Sequence, residues 1–420
     1  MRMRPRQGIS FRMTLRFVLI GTLIVATGVA LAAPQQVRPP APLLMDGHVH
    51  ITNRVYWEGI DPWKPQPVGD FDYARARQAG VNVVIENVAP YGYNTYNTTV
   101  KQTGRLIETF HRVVDANPDN MELALTSADV RRITAAGKLA VILSIEAGFD
   151  QDGDIDILRL WHRLGVRVIQ FASQVTTAYA DSSVRGEAKW SGINDRGRRL
   201  ITEMNRLGML IDISHATEAA QRQIIEASRA PVVASHVALR ALCNNPGNMP
   251  DDILRALVAK GGMIGIHASA DLISQRYYDW ARTHPVVPVN GITRNEIIYA
   301  ELPFIRSPNQ DYGEYIDKLD SELGGRWRRL YAMRWQESPE AVPLVPTVDE
   351  WVAHVEHAVQ IAGMKSVGIG LDMTNARSTL KNFDSRSYPQ LVEALRRKQL
   401  ATPEILSENW LRVFDTAKAP

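Results

Sequence analysis

Short apolar runs recur along the chain, and eight of them have the continuous apolar character of strands buried on both faces of a parallel sheet. These runs are Leu43–His50, Asn82–Val88, Val141–Glu146, Val166–Phe171, Leu210–His215, Val232–His236, Met263–His267 and Val367–Asp372. Helical patterns, with apolar residues at three- and four-residue spacing, lie between them. Strands that alternate with helices in this way predict a parallel sheet with right-handed crossovers.

The predicted helices complete a repeated strand–helix unit. They span Asp154–Leu164, Asn194–Leu207, Tyr388–Lys398 and Pro403–Thr416, and Thr217 and Pro250 mark the starts of two more. Eight units predict a closed (β/α)8 TIM barrel of the metal-dependent hydrolase type. An open doubly wound sheet is the alternative, but the chain has no glycine-rich phosphate loop that would favour it.

The alternation breaks once, after the seventh predicted strand. Residues 268–346 are too long a stretch for a plain loop, so we predict a mainly helical insertion there. Because it leaves the carboxyl end of a barrel strand, it should lie over or beside the barrel mouth. Two interpretations are open. The insertion is either a structural cover or dimer contact, or a lid that shapes the substrate pocket.

The first 32 residues predict a secretory signal. Five arginines precede an apolar run from Phe17 to Ala33, and Ala30-Leu31-Ala32 provides a small-residue cleavage site. Residues 33–42 then form a linker, and residues 43–420 form the barrel domain. An uncleaved signal would instead act as a membrane anchor. Cleavage predicts a soluble, extracytoplasmic protein, periplasmic or secreted.

Removing the signal changes the charge balance of the chain. The formal net charge falls from +3 to −2 when the five arginines of residues 1–32 are removed, so the composition does not indicate a nucleic-acid partner. Cys243 is the only cysteine, which excludes an intrachain disulfide. No nucleic-acid partner is therefore expected, and a membrane is expected as a partner only if the signal is uncleaved.

Five of the eight predicted strands, apart from Met263–His267, end on a side chain that we predict to be a metal ligand or to lie beside the metal. The carboxyl ends of parallel barrel strands open onto one face, which carries the chemistry in such folds. Those ends bring together His48, His50, Glu146, His215, His236 and Asp372. Imidazoles and carboxylates are the ligands of a zinc-type ion, and side chains two residues apart on a strand share a face. His48 and His50 can thus bind one ion.

The remaining strand-end residues predict a second ion and a proton acceptor. Glu146 either pairs with a barrel arginine or bridges two cations with its two oxygens, and His215 and His236 would hold the second cation. Asp372 could bind the first cation, take a proton from an attacking water, or both. Two such ions ~3.5–4 Å apart can activate a shared hydroxide and polarise a carbonyl.

Other histidines and carboxylates are assigned smaller roles. His267 ends the seventh strand and should face the mouth. Asp46 and Asp212 precede the strand ends, where they would orient the ligands. Four histidines fall in helical patterns and are predicted to lie on the surface: His111, His162, His354 and His357.

In their local sequences these residues resemble the membrane (renal) dipeptidase family of the amidohydrolase superfamily. The matching segments are the first strand, Ser144–Gly148, Asn194–Leu210, Leu210–His215, Ala230–His236, Asn248–Asp252, Val367–Asp372 and Glu408–Phe414. The resemblance covers most of the chain between the signal and the end, outside the insertion.

The resemblance implies a barrel with two Zn²⁺ ions bridged by Glu146. His48 and the residue at position 50 would hold one ion, and His215 and His236 the other. Asp372 would accept a proton from the bridging hydroxide and pass it to the leaving amine. Members of the family cleave dipeptides and commonly form homodimers.

Three positions depart from the family pattern. The family usually has Asp where this chain has His50, although imidazole is also a good zinc ligand. Ser173 stands where the family keeps a histidine that holds the oxyanion, and losing such a donor can reduce the rate by ~10²–10³. Gly247 replaces an arginine that binds the dipeptide's terminal carboxylate.

These departures lead to a hypothesis about substrate binding. His267 would replace the missing oxyanion donor beside Ser173, and an arginine of the insertion, from the cluster Arg326, Arg328, Arg329 and Arg334, would replace the carboxylate clamp. The sequence and the resemblance thus predict a secreted zinc dipeptidase-like hydrolase that cleaves an amide bond of a small-molecule substrate, with a dipeptide as the default. A hydrolase of a lactone, lactam or other cyclic amide is the alternative, and a non-catalytic metal-binding relative is a third reading that the retained Asp372 argues against.

Overall fold

A single parallel sheet, curled into a nearly closed barrel, organises the chain. The computed structural model describes residues 42–66, 69–89, 96–146, 152–172, 176–183, 188–284, 340–373 and 379–417. Its strands are β1 (Met45–Val49), β2 (Val83–Val88), β3 (Met121–Leu123), β4 (Leu139–Ile145), β5 (Val166–Gln170), β6 (Leu210–Asp212), β7 (Val233–Val237), β8 (Met263–Ile266) and β9 (Val367–Ile369).

The strand order confirms the predicted barrel. The sheet runs β1-β2-β4-β5-β6-β7-β8-β9, and every pairing between these strands is parallel. The last strand returns to the first, because Val49 and Met373 form a parallel bridge and the Asp372 N–H donates to the His48 carbonyl at 3.1 Å. All eight predicted strands are present. An open sheet is therefore excluded.

One strand was not predicted. β3 lies off the barrel path and pairs with Leu139–Val141 at the start of β4, whereas β5 pairs with the end of β4, from Leu143 to Ile145. It is three residues long and only Met121 in it is fully buried. Such a short, half-exposed segment lacks the apolar run by which the other strands are recognised.

Helices cover the outer face of the sheet. They are α1 (Ile51–Glu58), α2 (Tyr73–Gln78), α3 (Tyr96–Ala116), α4 (Ser127–Ala135), α5 (Ile155–Arg163), α6 (Asp195–Leu207), α7 (Glu218–Ala227), α8 (Asp251–Ala259), α9 (Ala270–Ile273), α10 (Gln275–Thr283), α11 (Val348–Ala362), α12 (Tyr388–Arg397) and α13 (Asn409–Asp415). Glu404–Glu408 forms a π-helical turn that leads into α13, so the predicted last helix is divided in two.

Side-chain caps fix where several helices begin, as the sequence predicts. The Asn194 side chain accepts from the N–H groups of Arg196 and Gly197, and the Thr217 hydroxyl accepts from Ala220 N–H. Such caps satisfy N–H groups that have no partner in the first turn. Pro250 is the capping residue of α8 and not part of its first turn, one position earlier than predicted.

A tryptophan from the last helix fills the barrel near the amino ends of the strands. Trp410 is buried in one cluster with the first residues of five strands and donates from Nε1 to the Ile369 carbonyl at 3.0 Å. A Cβ atom at Gly47, Gly265 or Gly368 would overlap the indole ring, so only glycine leaves room for it. The apolar core thus occupies one end of the barrel and leaves the other end to polar residues.

The described part of the insertion is helical, as predicted. It consists of α9, α10 and a 3-10 turn at Val342–Leu344, while residues 285–339, with the four clustered arginines, lie outside the described residues. The predicted signal and all of the predicted linker except residue 42 also lie outside the described residues, and the predicted bounds of the insertion, 268–346, stay a prediction. Within the described ranges, no helix is both long enough and apolar enough to cross a bilayer.

One surface prediction is wrong. His354 on α11 is 1% exposed, because it faces the core together with Trp351, Val355 and Ala358. Its imidazole lies between the Leu239 N–H, which donates to Nδ1 at 3.1 Å, and the Ile273 carbonyl, 3.0 Å from Nε2.

Candidate metal centre

The carboxyl ends of five strands bring the predicted ligands together at the polar end of the barrel. His48 and His236 lie within β1 and β7, and the others follow their strands directly or by a few residues. Among the described residues, four groups have ligand atoms within 4.8 Å of one another, and two of these contain the predicted ligands: His48, His50, Glu146 and Asp372 in one, and Glu146, His215 and His236 in the other. Glu146 belongs to both groups.

The first imidazole pair faces one oxygen of Glu146. His48 Nε2 and His50 Nε2 are 2.9 Å apart. Glu146 Oε2 lies 2.6 Å from His50 Nε2 and 3.2 Å from His48 Nε2. The two residues of the His-x-His motif therefore converge on one point, although His50 has already left the strand and begins α1.

The second imidazole pair faces the other oxygen of Glu146. His215 Nε2 lies 3.6 Å from Glu146 Oε1 and 3.0 Å from His236 Nε2. The carboxylate, 3% exposed, thus stands between two pairs of imidazoles and presents one oxygen to each. This is the geometry of a bridging ligand.

Charges within the cluster are strongly coupled. Burial opposes ionisation of Glu146, but the imidazoles of His50 and His48 lower its pKa well below its usual range. Burial likewise opposes protonation of His50, but Glu146 and Asp372 raise its pKa to about 10. Burial and the neighbouring imidazoles of His48 and His215 lower the pKa of His236 well below its usual range. Protons and cations thus compete for the same small space.

Asp372 is held at the edge of the cluster by His267. His267 Nε2 is 3.1 Å from Asp372 Oδ2, and Ser269 N–H donates to His267 Nδ1 at 2.9 Å. Because a backbone N–H can only donate, Nδ1 is the acceptor and Nε2 carries the hydrogen that points at Asp372. Burial would raise the pKa of Asp372, but its interactions with His267 and His50 lower it well below its usual range.

The second oxygen of Asp372 faces the first imidazole pair. Oδ1 is 3.4 Å from His50 Nε2 and 3.7 Å from His48 Nε2. It has no hydrogen-bond partner among the described residues, although the atom is buried. A buried carboxylate oxygen without a donor carries an energetic penalty. This atom is therefore available to a ligand, a water or an ion.

Two of the site residues have an unusual backbone conformation. His215 has φ of 64° and Asp372 has φ of 54°, which places both in the left-handed region. This conformation costs a residue other than glycine ~1–2 kcal/mol. Strain of this kind is concentrated at functional sites, where surrounding structure holds the backbone in place.

Asp46 and Asp212 lie behind the cluster, as predicted from their positions before the strand ends. Asp46 accepts from the His48 and Leu371 N–H groups at 3.1 and 3.0 Å, so it links the first and last strands. Asp212 accepts from Ser214 and from Ser235. Ser235 was not singled out in the sequence. The only signal for it was its place directly before the strand-end His236.

Ser173 and Gly247 are the two positions where this chain departs from the family's substrate-binding residues. Ser173 lies outside the described residues. Gly247 lies in the loop after β7, and Arg240 wraps around it by donating to the carbonyls of Pro246 and Asn248. Arg240 also pairs with Glu218 at 3.2 Å. This arginine therefore stabilises the loop rather than replacing the missing one.

The residues present fit divalent metal ions. Imidazole nitrogens and carboxylate oxygens lie ~2.0–2.2 Å from a zinc-type ion, so two of its ligands are ~3.3 Å apart. The facing ligand atoms in the two groups are 2.6–3.6 Å apart. Two Nε2 atoms at 2.9 Å must share either a proton or a cation. Nitrogen and oxygen donors in this number are the set that such a cation prefers.

Comparisons with known proteins agree with this geometry. A family model described as membrane dipeptidase (peptidase family M19) matches residues 40–419. Dipeptidase 3 from Rattus norvegicus is 37% identical over 171 residues, which are 40% of this chain and 34% of that protein. The solved structure of the probable dipeptidase PvdM from Pseudomonas aeruginosa is similar with a TM-score of 0.67 and 20% identity, over 90% of this chain and 96% of that one.

A second solved structure is similar over the same extent. It is a metallopeptidase from Rhodobacter sphaeroides with a bound phosphinate mimic of the dipeptide L-Ala-D-Ala, with a TM-score of 0.65 and 18% identity, over 90% of this chain and 100% of that one. At these identities the likeness concerns the fold. Alignments with the first curated relatives span 34–55% of the relatives' length.

Proposed function

Because the chain belongs to the membrane dipeptidase family, peptidase family M19, we propose that it is a zinc-dependent dipeptidase-like hydrolase. Its reaction would be cleavage of an amide bond in a small substrate, with a dipeptide as the default. One observation carries this proposal: Glu146 presents its two oxygens to two separate imidazole pairs, 2.6 Å from His50 and 3.6 Å from His215.

The residues divide into two ion sites with a shared ligand. His48 and His50 would hold one Zn²⁺, His215 and His236 the other, and Glu146 both. When bound, such a pair of ions polarises a carbonyl and makes water acidic enough to react near neutral pH. His50, in place of the family's aspartate, leaves the first site with one less negative charge. We expect zinc to be retained there, since imidazole is an ordinary zinc ligand.

Asp372 is the candidate catalytic residue. Its Oδ2 is held by His267, while Oδ1 faces the cluster without a donor. Its lowered pKa keeps it a carboxylate, so Oδ1 can accept the proton of an attacking water. The same atom can then return that proton to the leaving amine.

His267 supports Asp372, and this bears on the oxyanion hypothesis. The Nε2 hydrogen points at Oδ2, so we propose that His267 positions Asp372, with oxyanion binding as the alternative role. His267→Ala separates the two. Loss of a positioning group should lower kcat/KM by ~10–100-fold and move the acid limb of its pH profile to higher pH, because a hydrogen bond that lowers the pKa of Asp372 is removed. An oxyanion donor would change the rate alone, and an unchanged rate would exclude both roles.

Gly247 favours a second candidate substrate class. The loop has glycine where the family has an arginine that binds a terminal carboxylate. A substrate without a free terminal carboxylate, such as a lactone, lactam or cyclic amide, would not need that arginine for binding. Gly247→Arg is a direct test, since a Cβ there meets only Asn245 Oδ1 at 3.4 Å and Leu272 Cδ2 at 3.5 Å. If dipeptides are the substrates, the added charge-assisted pair, ~1.5–3 kcal/mol, should raise kcat/KM for dipeptides but not for dipeptide amides.

Metal analysis tests the proposed function most directly. We expect about two zinc ions per chain, as the two ligand groups imply, and a loss of zinc in His215→Ala and His236→Ala. Activity on a panel of dipeptides, lactones and cyclic amides should depend on that zinc. Full activity after exhaustive chelation would refute the proposal.

The place of action and the assembly are further parts of the proposal. Five arginines before the apolar run at Phe17–Ala33 support export and cleavage after Ala32, and therefore work outside the cytoplasm. A homodimer is expected from the family alone.

A further inference from the structure

We infer that Ser235 is a positioning residue that holds one imidazole from each half of the metal centre, with Asp212 behind it. The inference rests on the proposed function, because it names how the two ion sites are coupled. It assigns to a single hydroxyl the orientation of His48, a ligand of the first site, and of His236, a ligand of the second.

Three hydrogen bonds converge on the Ser235 hydroxyl. Oγ lies 3.0 Å from His48 Nδ1 and 2.7 Å from His236 Nδ1, and it donates to Asp212 Oδ2. Ser235, His48 and His236 are each at most 1% exposed, so water does not compete for these bonds. The two imidazole rings pack on each other with their centroids 3.7 Å apart.

Counting donors and acceptors fixes the proton positions. A serine hydroxyl has one hydrogen to donate and two lone pairs to accept. Asp212 receives that hydrogen, so both contacts with imidazole nitrogens require Nδ1–H groups on His48 and His236. In its neutral form each ring then has an unprotonated Nε2: that of His48 lies 3.2 Å from Glu146 Oε2, and that of His236 lies 3.0 Å from His215 Nε2. Both histidines are thereby set in the tautomer that binds a metal through Nε2.

Asp212 determines the direction of the serine hydrogen. Its Oδ1 already accepts from the Ser214 N–H at 2.9 Å, the Ser214 hydroxyl at 2.7 Å and the Ser235 N–H at 3.0 Å. With these donors the carboxyl group acts as an acceptor towards Ser235 as well. Asp212, which is 1% exposed, therefore holds the other members of this hydrogen-bond network in place.

The neighbouring strands hold the Ser235 backbone in place. A Cβ at Gly265, in β8, or at Gly370, after β9, would overlap the Ser235 carbonyl oxygen. Two strands thus approach β7 as closely as glycine allows. Because the Ser235 backbone cannot shift, the position of its hydroxyl is fixed. The hydrogen bonds between this hydroxyl and the side chains of His48 and His236 therefore fix the orientation of the two imidazole rings.

The test is the zinc affinity of Ser235→Ala against a matched control. Ser214→Ala removes an equally buried hydroxyl that bonds to the same carboxylate and accepts from the His236 backbone N–H, but bonds to no imidazole. Affinities are measured by competition with a chelator of known zinc affinity. We expect Ser235→Ala to weaken both zinc ions, by ~10–100-fold each, Ser214→Ala to stay close to wild type, and Ser235→Thr to recover most of the loss.

A spectroscopic readout checks the tautomers without using activity. In zinc-loaded protein with ¹⁵N-labelled histidine, His48 and His236 should show slowly exchanging Nδ1–H signals, and Ser235→Ala should make both exchange faster. Equal affinities in Ser235→Ala and Ser214→Ala, or weakening of one ion only, would overturn the inference while leaving the zinc enzyme intact. Wild-type protein that takes up no zinc would overturn the proposed function itself.

Discussion

Replacing His354 should change how the stability of the barrel depends on pH. This histidine joins the loop after β7 to the helix after β8, since Leu239 N–H donates to Nδ1 at 3.1 Å and Nε2 lies 3.0 Å from the Ile273 carbonyl. Because Nδ1 accepts from a backbone N–H, the neutral ring with Nε2–H satisfies both contacts. A second proton would have to point at the Leu239 N–H. The folded state therefore holds this ring neutral.

The sign and size of the effect follow from the pKa. Burial lowers the pKa of His354 from 6.5 to about 4. Between these values the unfolded chain binds the proton and the folded chain does not, so stability falls as the pH falls through this window. The full difference corresponds to about 3 kcal/mol, at ~1.4 kcal/mol for each pH unit. Above pH 6.5 this contribution to the pH dependence disappears.

Urea unfolding of wild type and His354→Gln at pH 7.5 and pH 4.5 measures this effect. At pH 7.5 the variant should be less stable by ~1–3 kcal/mol, because a buried backbone group loses its partner. At pH 4.5 this difference in unfolding free energy should be smaller by about 2.5 kcal/mol. Only the wild type has a histidine that is protonated in the unfolded chain and has to give up that proton on folding. Both proteins carry the same metal ligands, so the difference between them isolates His354.

A non-titrating substitution nearby serves as the control. Ser274 caps α10 by accepting from Tyr277 N–H, and Ser274→Ala should lower stability by ~1 kcal/mol at both pH values. If the gap between wild type and His354→Gln were the same at both pH values, the reasoning about the neutral ring would be refuted.

Three other predictions test the centre, the core and the amino terminus. Glu146→Gln keeps the shape but removes the shared charge, so metal analysis should find zinc reduced at both sites, whereas loss of one ion alone would contradict a bridging role. Trp410→Ala should lower the unfolding free energy by ~3–5 kcal/mol, as measured by denaturant titration, and a loss below 1 kcal/mol would show that the barrel end is not packed on this ring. Amino-terminal sequencing of the exported protein should begin at Ala33, and a chain that begins at Met1 would favour the anchor.

The barrel could be predicted because its strands leave a strong local signal. Each of the eight is buried on both faces and therefore reads as a continuous apolar run. The clustering of the candidate ligands could be predicted for the same reason, since His48, Glu146 and His236 interrupt or end runs in which a charged or polar group needs a partner. β3 has neither feature, with Glu122 at its centre and three residues in all.

The misplacement of His354 has a different origin. The apolar face of α11 includes Trp351, Val355 and Ala358, and His354 lies three residues after the first of these and four before the last. Helical spacing therefore indicated burial, and residue type alone suggested the surface. The role of Ser235 lacked even this signal, because it depends on His48 being brought next to it from 187 positions away in the chain.

The directions of two side chains of the candidate metal centre are the part that local sequence cannot specify. His215 and Asp372 both adopt a left-handed backbone that their residue types disfavour, so tertiary contacts must impose it. For Asp372 those contacts are also the closure of the barrel: its N–H bonds to the His48 carbonyl, and the preceding Leu371 N–H bonds to Asp46. The distance between Asp372, the proposed proton acceptor, and the imidazoles of His48 and His50 is therefore set by the contact between β9 and β1.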